Sequence, residues 1–192
     1  MMTNILFLGY SSSETCLINF LKRKNFKVTC SKEILNLSEA MKFDLIISFG
    51  YSRIISKTVV KNVLRPIINL HMSYLPFNRG AHPNFWSFYE NTPKGVTIHE
   101  INENVDAGPI IYQKKIKFDL KNKQSTSFSQ TYKILFKELE KLFKKNCKEL
   151  ISRSYKLKFN NITKGTIHKK NDLPKNFKDW DKSILSYLEK DR

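Results

Sequence analysis

The stretch Asp44-Leu45-Ile46-Ile47-Ser48-Phe49-Gly50 is a nearly continuous apolar run that ends at a glycine. This composition is typical of a strand in a parallel sheet, because helices cover both faces of such a sheet. Upstream, residues 4–8 and 26–30 predict two more strands, and downstream residues 66–70 predict a fourth. Helical patterns separate these runs. The alternation predicts an α/β fold in which helices flank a mostly parallel central sheet.

The second half of the chain predicts a helix, two strands and a long helix. Pro83 can occupy the first turn of a helix that continues to Tyr89. Residues 96–101 and 110–118 predict two strands that pair with each other. Apolar spacing over residues 128–150 predicts one amphipathic helix. We expect residues 1–152 to form one domain. Residues 153–192 form a short C-terminal extension with a helix near 184–188, which wraps the domain or a partner chain.

The charge of the chain is strongly positive and unevenly distributed. The net charge is +17 over 192 residues, and residues 113–192 hold 22 of the 34 lysines and arginines. A basic nucleic-acid-binding module is therefore one alternative function. Because the excess lies away from the polar segments described next, a solvated lysine surface is favoured, and nucleic acid is not the expected partner. A basic protein also attracts phosphate-bearing small molecules.

The cysteines and the hydropathy favour a cytoplasmic protein. Cys16, Cys30 and Cys147 are widely separated and form neither a metal-spaced pair nor a disulfide framework. No apolar run approaches the roughly 20 residues that span a bilayer. The four histidines have no ligand-type spacing, so we expect no metal. Because no apolar run is long enough to span a bilayer, we also expect no membrane partner.

Two segments place polar groups at predicted strand ends. Asn69 and His71 lie two residues apart, and the alternation of a strand directs them to the same side. Asp106 lies in the polar loop that follows strand 96–101. Sites in open α/β sheets gather at the carboxyl ends of strands. A convergent amide, imidazole and carboxylate can stabilise an oxyanion and move a proton, so we predict these three as catalytic residues.

This order of residues resembles that of the formyltransferases that use N10-formyltetrahydrofolate. The family includes the glycinamide ribonucleotide enzyme, the methionyl-tRNA enzyme and the sugar N-formyltransferases. The matching positions are Asn69, His71, Ser73, Leu75, Pro76, Arg79, Gly80, His99, Asp106, Gly108, Ile110 and Ile111. The resemblance implies a Rossmann-like formyltransferase fold, a catalytic domain over residues 1–152, and formyl transfer from N10-formyltetrahydrofolate to a primary amine.

The resemblance also implies residue roles. Asn69 would donate a hydrogen bond to the formyl oxygen, His71 would share that oxyanion, and Asp106 would receive the proton of the amine directly or through water. Two backbone segments would enclose the pterin ring of the folate. Their residues are Tyr51, Arg53, Ile54, Ile55, Asn102, Asn104, Val105 and Asp106.

The acceptor implied by the resemblance is a nucleotide-linked amino-deoxysugar or a related precursor. The turn over residues 9–13 lacks the phosphate-binding pattern of the glycinamide ribonucleotide enzyme, and 192 residues leave no room for the extra barrel of the methionyl-tRNA enzyme. Residues 76–86 and 165–168 are most similar to the sugar branch, in which a homodimer is usual. The candidate substrate-binding residues are Tyr10, Ser11, Arg79, Gly80, His82 and Trp86.

Several alternatives stay open from sequence. The acceptor can be glycinamide ribonucleotide or methionyl-tRNA, or water if the protein is a formyltetrahydrofolate hydrolase. His99 can be a proton carrier or a structural histidine. Trp86 can pack in the core or stack on a base. Arg79 can bind a phosphate or lie in a solvated turn.

Overall fold

A six-stranded sheet forms the centre of the computed structural model, which describes residues 2–121 and 126–190. The strands are β1 (Asn4–Gly9), β2 (Lys27–Ser31), β3 (Leu45–Phe49), β4 (Ile68–His71), β5 (Arg79–Gly80), β6 (Gly95–Glu100), β7 (Ile110–Lys115) and β8 (Ile167–His168). The central sheet has the order β2-β1-β3-β4-β6-β7, and β5 pairs with β8 in a separate ribbon. The first four strands of the central sheet are parallel, while β6 and β7 are antiparallel. The predicted mostly parallel α/β sheet is confirmed.

The helices are α1 (Leu17–Arg23), α2 (Leu37–Ala40), α3 (Lys57–Asn62), α4 (Pro83–Tyr89), α5 (Phe128–Lys145), α6 (Cys147–Ser152) and α7 (Ile184–Lys190). Two 3₁₀ turns, Ile162–Lys164 and Lys170–Asp172, lie in the C-terminal extension. Within the described ranges, no helix is long and apolar enough to cross a membrane.

The single helix predicted over residues 128–150 is wrong, because the helix breaks at Asn146. The side-chain amide of Asn146 donates to the carbonyl of Leu142 (2.8 Å), and its backbone has φ −106° and ψ 14°. Asparagine side chains compete in this way with helical backbone hydrogen bonds. Two helices, α5 and α6, therefore replace the one that periodicity predicts. Likewise, the strand predicted over residues 110–118 ends at Lys115.

Both faces of the central sheet are buried, which explains its apolar strands. Ile5 and Phe7 of β1 face a cluster that includes residues of α1 and α5, whereas Leu6 and Leu8 face a second cluster with Val59 of α3. Full burial of each such side chain contributes roughly 1.5–3 kcal/mol. The sheet is thereby fixed between two helical layers, with the carboxyl ends of β1, β3 and β4 along one edge.

The C-terminal extension packs against its own chain. Phe177, Ile184 and Tyr187 are buried with Phe85 and Phe128 in a third apolar cluster. In addition, the backbone of Lys158 forms an isolated antiparallel β-bridge with that of Ile110, and β8 runs parallel to β5. The boundary at residue 152 stays a prediction. The predicted domain (residues 1–152) and the predicted extension (residues 153–192) also include residues that lie outside the described ranges, namely 1, 122–125, 191 and 192.

Candidate active site

Asn69 and His71 lie at the carboxyl end of β4, where the parallel part of the sheet meets β6. The structure places Asn69 directly opposite His99 of β6 in the antiparallel pairing. His71 is the last residue of β4 and is buried. The alternation of the strand directs Asn69 and His71 to one side, as predicted from their spacing.

The carboxylate of Asp106 lies next to the side chains of Asn69 and His71. Its Oδ1 accepts a hydrogen bond from Asn69 Nδ2 (3.0 Å), and its Oδ2 accepts one from the backbone N–H of Gly80 (2.9 Å). Two imidazoles complete the surroundings: His71 Nδ1 lies 3.6 Å from Oδ2, and His99 Nε2 lies 3.3 Å from Oδ1. The structure thus brings together Asn69, His71 and Asp106 and adds His99 and Gly80.

The surroundings of Asp106 favour its ionised carboxylate, and those of His71 favour its neutral imidazole. Burial alone would raise the pKa of Asp106, but the charge of His71, the hydrogen bond from His99 and the Gly80 N–H together hold it below its usual range. Burial lowers the pKa of His71 below 6.5, and Asp106 opposes this only in part. At neutral pH, an ionised carboxylate therefore faces a neutral imidazole that gains a stabilising partner when it takes a proton.

His99 makes polar contacts through both of its ring nitrogens. Its Nδ1 lies 2.8 Å from the carbonyl of Glu100, which only accepts, so Nδ1 carries the proton. In the neutral ring, Nε2 accepts the second amide hydrogen of Asn69 (3.1 Å), whereas only the doubly protonated ring can donate from Nε2 to Asp106, and that is the form whose hydrogen bond lowers the Asp106 pKa. Both amide hydrogens of Asn69 are thus occupied, by His99 and Asp106. To donate a hydrogen bond to a formyl oxygen, Asn69 has to give up its contact with His99 or with Asp106.

The backbone around the site is left-handed at four positions, Asn78, Gly80, His82 and Asp106. Asp106 has φ +46°, and Gly80 has φ +84°. A Cβ at Gly80 would lie 2.2 Å from the carbonyl oxygen of His168, so glycine is required for the close approach of β8 to β5. The same approach leaves the Gly80 N–H directed at Asp106.

The two predicted walls of a pterin pocket lie next to each other. Glu103 forms ion pairs with Lys61 (3.1 Å) and Lys57 (3.9 Å), which connect the loop containing residues 102–106 to α3. Ile54 and Val105, one from each predicted wall, have exposed side chains.

Other predicted pterin-binding residues use their side chains locally. The Tyr51 hydroxyl donates to Glu33 O (2.5 Å) and accepts from Leu35 N–H, while Arg53 Nε donates to Lys32 O (3.4 Å). The side chain of Ile55 packs in the apolar cluster below α3, and Asn102 Oδ1 accepts from the backbone N–H of Asn104. Pterin binding through these segments would therefore use backbone groups, as the resemblance implies.

A cavity of about 360 Å³ lies beside the predicted catalytic residues, within the usual size range for ligand pockets. Its walls are almost entirely apolar and include Met72, His82, Phe85, Phe128, Tyr132 and Trp180. Met72 directly follows His71, so the cavity begins next to the site. The rings of His82 and Trp180 are 5.5 Å apart. Burial and the charge of Lys170 lower the pKa of His82.

The remaining predicted substrate-binding residues have mixed placements. Tyr10 contacts Tyr132 through their hydroxyls (2.5 Å), which places it close to the cavity. Ser11 is bound instead to the Glu14 carboxylate through its N–H and hydroxyl (2.8 and 2.7 Å). Trp86 is buried and stacked on His168 at 3.9 Å, as the packing alternative predicts. Arg79 is buried rather than in a solvated turn, and its Nε has no hydrogen-bond partner among residues 2–121 and 126–190.

Several residues that support the site were not predicted from sequence. Thr97 Oγ1 donates to Ser73 O (2.7 Å) and so holds the turn after His71. The carbonyl of Asn78 lies 3.3 Å from His71 Nε2. Asn160 donates to the backbone carbonyl of Asp106 (3.1 Å). Their signal in sequence is weak, because each is a common polar residue whose partner is distant along the chain.

Comparisons with known proteins agree with this geometry. Residues 9–142 match the family model described as "Formyl transferase". The formyltransferase PseJ from Anoxybacillus kamchatkensis, solved with UDP-4,6-dideoxy-4-formamido-L-AltNAc and tetrahydrofolate, is 32% identical, with a TM-score of 0.85. The match covers 98% of this chain and 100% of that chain.

Two curated relatives match over part of their length. The bifunctional polymyxin resistance protein ArnA of Wigglesworthia glossinidia brevipalpis is 33% identical over 67% of this chain and 20% of its own length. The dTDP-4-amino-4,6-dideoxyglucose formyltransferase of Mycobacterium bovis is 35% identical over 38% of this chain and 31% of its own length. The matched regions thus span a fifth to a third of these relatives.

Proposed function

Because the chain belongs to the formyl transferase family, we propose that it transfers the formyl group of N10-formyltetrahydrofolate to the amine of a nucleotide-linked amino sugar. The observation that carries this proposal is the largely buried Asp106 carboxylate, kept ionised by its lowered pKa and held between Asn69 and His71. An amide, an imidazole and a carboxylate within hydrogen-bonding reach can stabilise an oxyanion and move a proton.

The proposed reaction exchanges one C–N bond for another. The amine nitrogen attacks the formyl carbon, and the bond from that carbon to N10 of the folate breaks. The amine loses one proton and N10 of the leaving tetrahydrofolate gains one. The His71–Asp106 pair carries this proton, since an imidazolium at His71 would lie 3.6 Å from the carboxylate. An amide hydrogen of Asn69 donates to the developing oxyanion once its contact with His99 is exchanged.

The position of the formyl donor is supported by the two adjacent walls at the α3 junction. Ile54 and Val105, one from each predicted pterin-binding segment, expose apolar surface, which suits a flat pterin ring. Tetrahydrofolate is part of the PseJ complex, and the likeness to PseJ extends over nearly the whole chain.

A nucleotide-linked acceptor is supported by the cavity and by the charge. Aromatic walls suit a planar base, and Lys133 at the cavity supplies a cation for a diphosphate. The PseJ complex contains a UDP-linked formamido sugar, and the matching curated formyltransferase of Mycobacterium bovis is named for a dTDP-linked amino sugar. Ser11 is less suited to bind phosphate, because the Glu14 carboxylate occupies it.

The test is turnover of N10-formyltetrahydrofolate with a panel of UDP- and dTDP-linked amino sugars, glycinamide ribonucleotide, methionyl-tRNA and no acceptor. We expect release of tetrahydrofolate that depends on an amino sugar and collapses in Asn69→Ala. Release without any amine would indicate a hydrolase. Activity with glycinamide ribonucleotide or with methionyl-tRNA would instead assign the protein to the corresponding branch of the family. Salt-sensitive nucleic-acid binding without folate turnover would instead support the basic module.

We also propose a homodimer and a cytoplasmic location. Leu157, Phe159 and Ile167 of the C-terminal extension are exposed apolar side chains, which supports a contact between copies. Cys16, Cys30 and Cys147 are free thiols, which agrees with a reducing compartment. Light scattering of the purified protein and cell fractionation test these two points.

A further inference from the structure

The C-terminal extension contacts the catalytic centre at two separate points. We infer that Asn160 and Glu90 are positioning residues through which this extension fixes Asp106 and His71 for formyl transfer. The inference rests on the proposed function and adds to it that residues 157–168 are part of the catalytic architecture.

The first point is Asn160, which holds the backbone of Asp106. Its Nδ2 donates to the carbonyls of Asp106 and Gly108, both at 3.1 Å, and the residue is 4% exposed. Two backbone hydrogen bonds between Lys158 and Ile110 (2.7 and 2.9 Å) fix the adjacent chain. Because Asp106 is a non-glycine residue at φ +46°, its conformation is unfavourable by itself and needs such support. Relaxation of this backbone would move the carboxylate away from His71.

The second point is Glu90, which joins β8 to the segment that contacts His71. One carboxylate oxygen, Oε2, accepts from Asn78 Nδ2 (3.0 Å) and from the hydroxyl of Thr166 (2.9 Å). The other, Oε1, lies 2.9 Å from His168 Nε2, a contact that lacks hydrogen-bond geometry. Thr166 Oγ1 also accepts from the backbone N–H of Asn78 (3.0 Å).

These contacts lead directly to the catalytic groups. The carbonyl of Asn78 lies 3.3 Å from His71 Nε2, and two residues further the N–H of Gly80 donates to Asp106 Oδ2. Residues 78–80 therefore contact both members of the proton-carrying pair. Glu90 fixes these residues from one side and β8 fixes them from the other, through the hydrogen bonds from Arg79 N–H to Thr166 O and from Ala81 N–H to His168 O.

The first test compares Asn160→Leu with the matched control Asn161→Leu. Leucine approximates the shape of asparagine and removes both donors without adding a charge. Asn161 is the neighbouring residue, and its side-chain oxygen accepts from the hydroxyl of Thr163 (2.7 Å). We expect Asn160→Leu to lower kcat by about tenfold or more, because a misplacement of about 1 Å can cost about 100-fold. KM for both substrates and the activity of the control should stay within about threefold.

A pH profile separates positioning from a purely structural role. Burial lowers the pKa of His71, and the negative charge of Asp106 offsets part of that decrease in the native arrangement. If the carboxylate moves away in Asn160→Leu, the acid limb of the kcat/KM profile shifts to lower pH. An unchanged kcat and profile in the folded variant would overturn the role of Asn160.

The second test uses conservative rescue at Glu90. Glu90→Gln keeps an acceptor for Asn78 and Thr166 and should keep kcat within about threefold, whereas Glu90→Met removes it and should lower kcat about tenfold. If Glu90→Met does not fold, Thr166→Val removes one hydroxyl of the same contact and should lower kcat several-fold. Equal activity of Glu90→Gln and a folded Glu90→Met, or wild-type kcat in Thr166→Val, would overturn the role of Glu90. Failure of the wild-type protein to transfer formyl groups would instead refute the proposed function.

Discussion

The substitution Asp106→Asn tests the centre of the proposed mechanism. It keeps the shape of the side chain, removes its charge and replaces one acceptor oxygen with a donor. If the new NH₂ group takes the position of Oδ2, it faces the N–H of Gly80; if it takes the position of Oδ1, it faces the amide hydrogens of Asn69. Either orientation places a donor against a donor in a buried site. The variant therefore cannot reproduce the native hydrogen bonds.

The cost to stability follows from the lowered pKa of Asp106. A hydrogen bond to a charged group contributes about 1.5–3 kcal/mol, and burial of the carboxylate offsets part of it. Because the net effect lowers the pKa, the folded state favours the carboxylate, and we expect Asp106→Asn to reduce the free energy of unfolding by about 1–3 kcal/mol at neutral pH. A lowered pKa stabilises the fold above the unfolded value of about 3.9. The difference from wild type should therefore shrink as the pH falls below that value.

The cost to activity should be larger than the cost to stability. Loss of a positioned proton acceptor typically slows a reaction about 100- to 10,000-fold. The assay is single-turnover release of tetrahydrofolate with saturating amino-sugar nucleotide. The control is Asp44→Asn, the same chemical change at the amino end of β3, where the carboxylate accepts from Asn4 N–H. We expect the control to retain the wild-type rate. An Asp106→Asn rate above about a tenth of wild type would refute the assigned role of the carboxylate.

Three further substitutions test the cavity, the close approach at β5 and the core of the extension. Trp180→Ala removes an aromatic wall and should raise KM for the nucleotide sugar about tenfold with little change in kcat, measured by steady-state kinetics. Gly80→Ala puts a Cβ 2.2 Å from a carbonyl of β8 at φ +84° and should reduce the free energy of unfolding in urea by about 2 kcal/mol or more. Phe177→Ala, which removes a ring 4.6 Å from Phe85, should cost about 3–5 kcal/mol in the same experiment, whereas Leu64→Ala at an 81% exposed position should change it by less than about 0.5 kcal/mol. A Trp180→Ala effect confined to kcat, or stability losses equal to that of Leu64→Ala, would contradict these expectations.

Local features of the sequence were enough to predict the central strands and one side of the site. The apolar runs at β1, β3 and β4 predict buried parallel strands because helices cover both faces, and the structure has them there. The two-residue spacing of Asn69 and His71 predicts side chains on one side of β4, since a strand has a period of two. The break at Asn146 was missed because apolar periodicity continues across it, while the hydrogen bond that ends α5 is made by one side chain.

What the sequence by itself determined is the periodic pattern of the strands and helices and the types of residue that carry chemistry. Only the tertiary structure decided which of these residues meet. Asn160 reaches Asp106 and Glu90 reaches Thr166 across large separations in the chain. Trp86 stacks on His168 rather than lining the cavity, and the Gly80 N–H is directed at Asp106. The physical reason is that periodicity reflects burial of a whole face of an element, whereas a single polar contact depends on the packed position of two distant backbones.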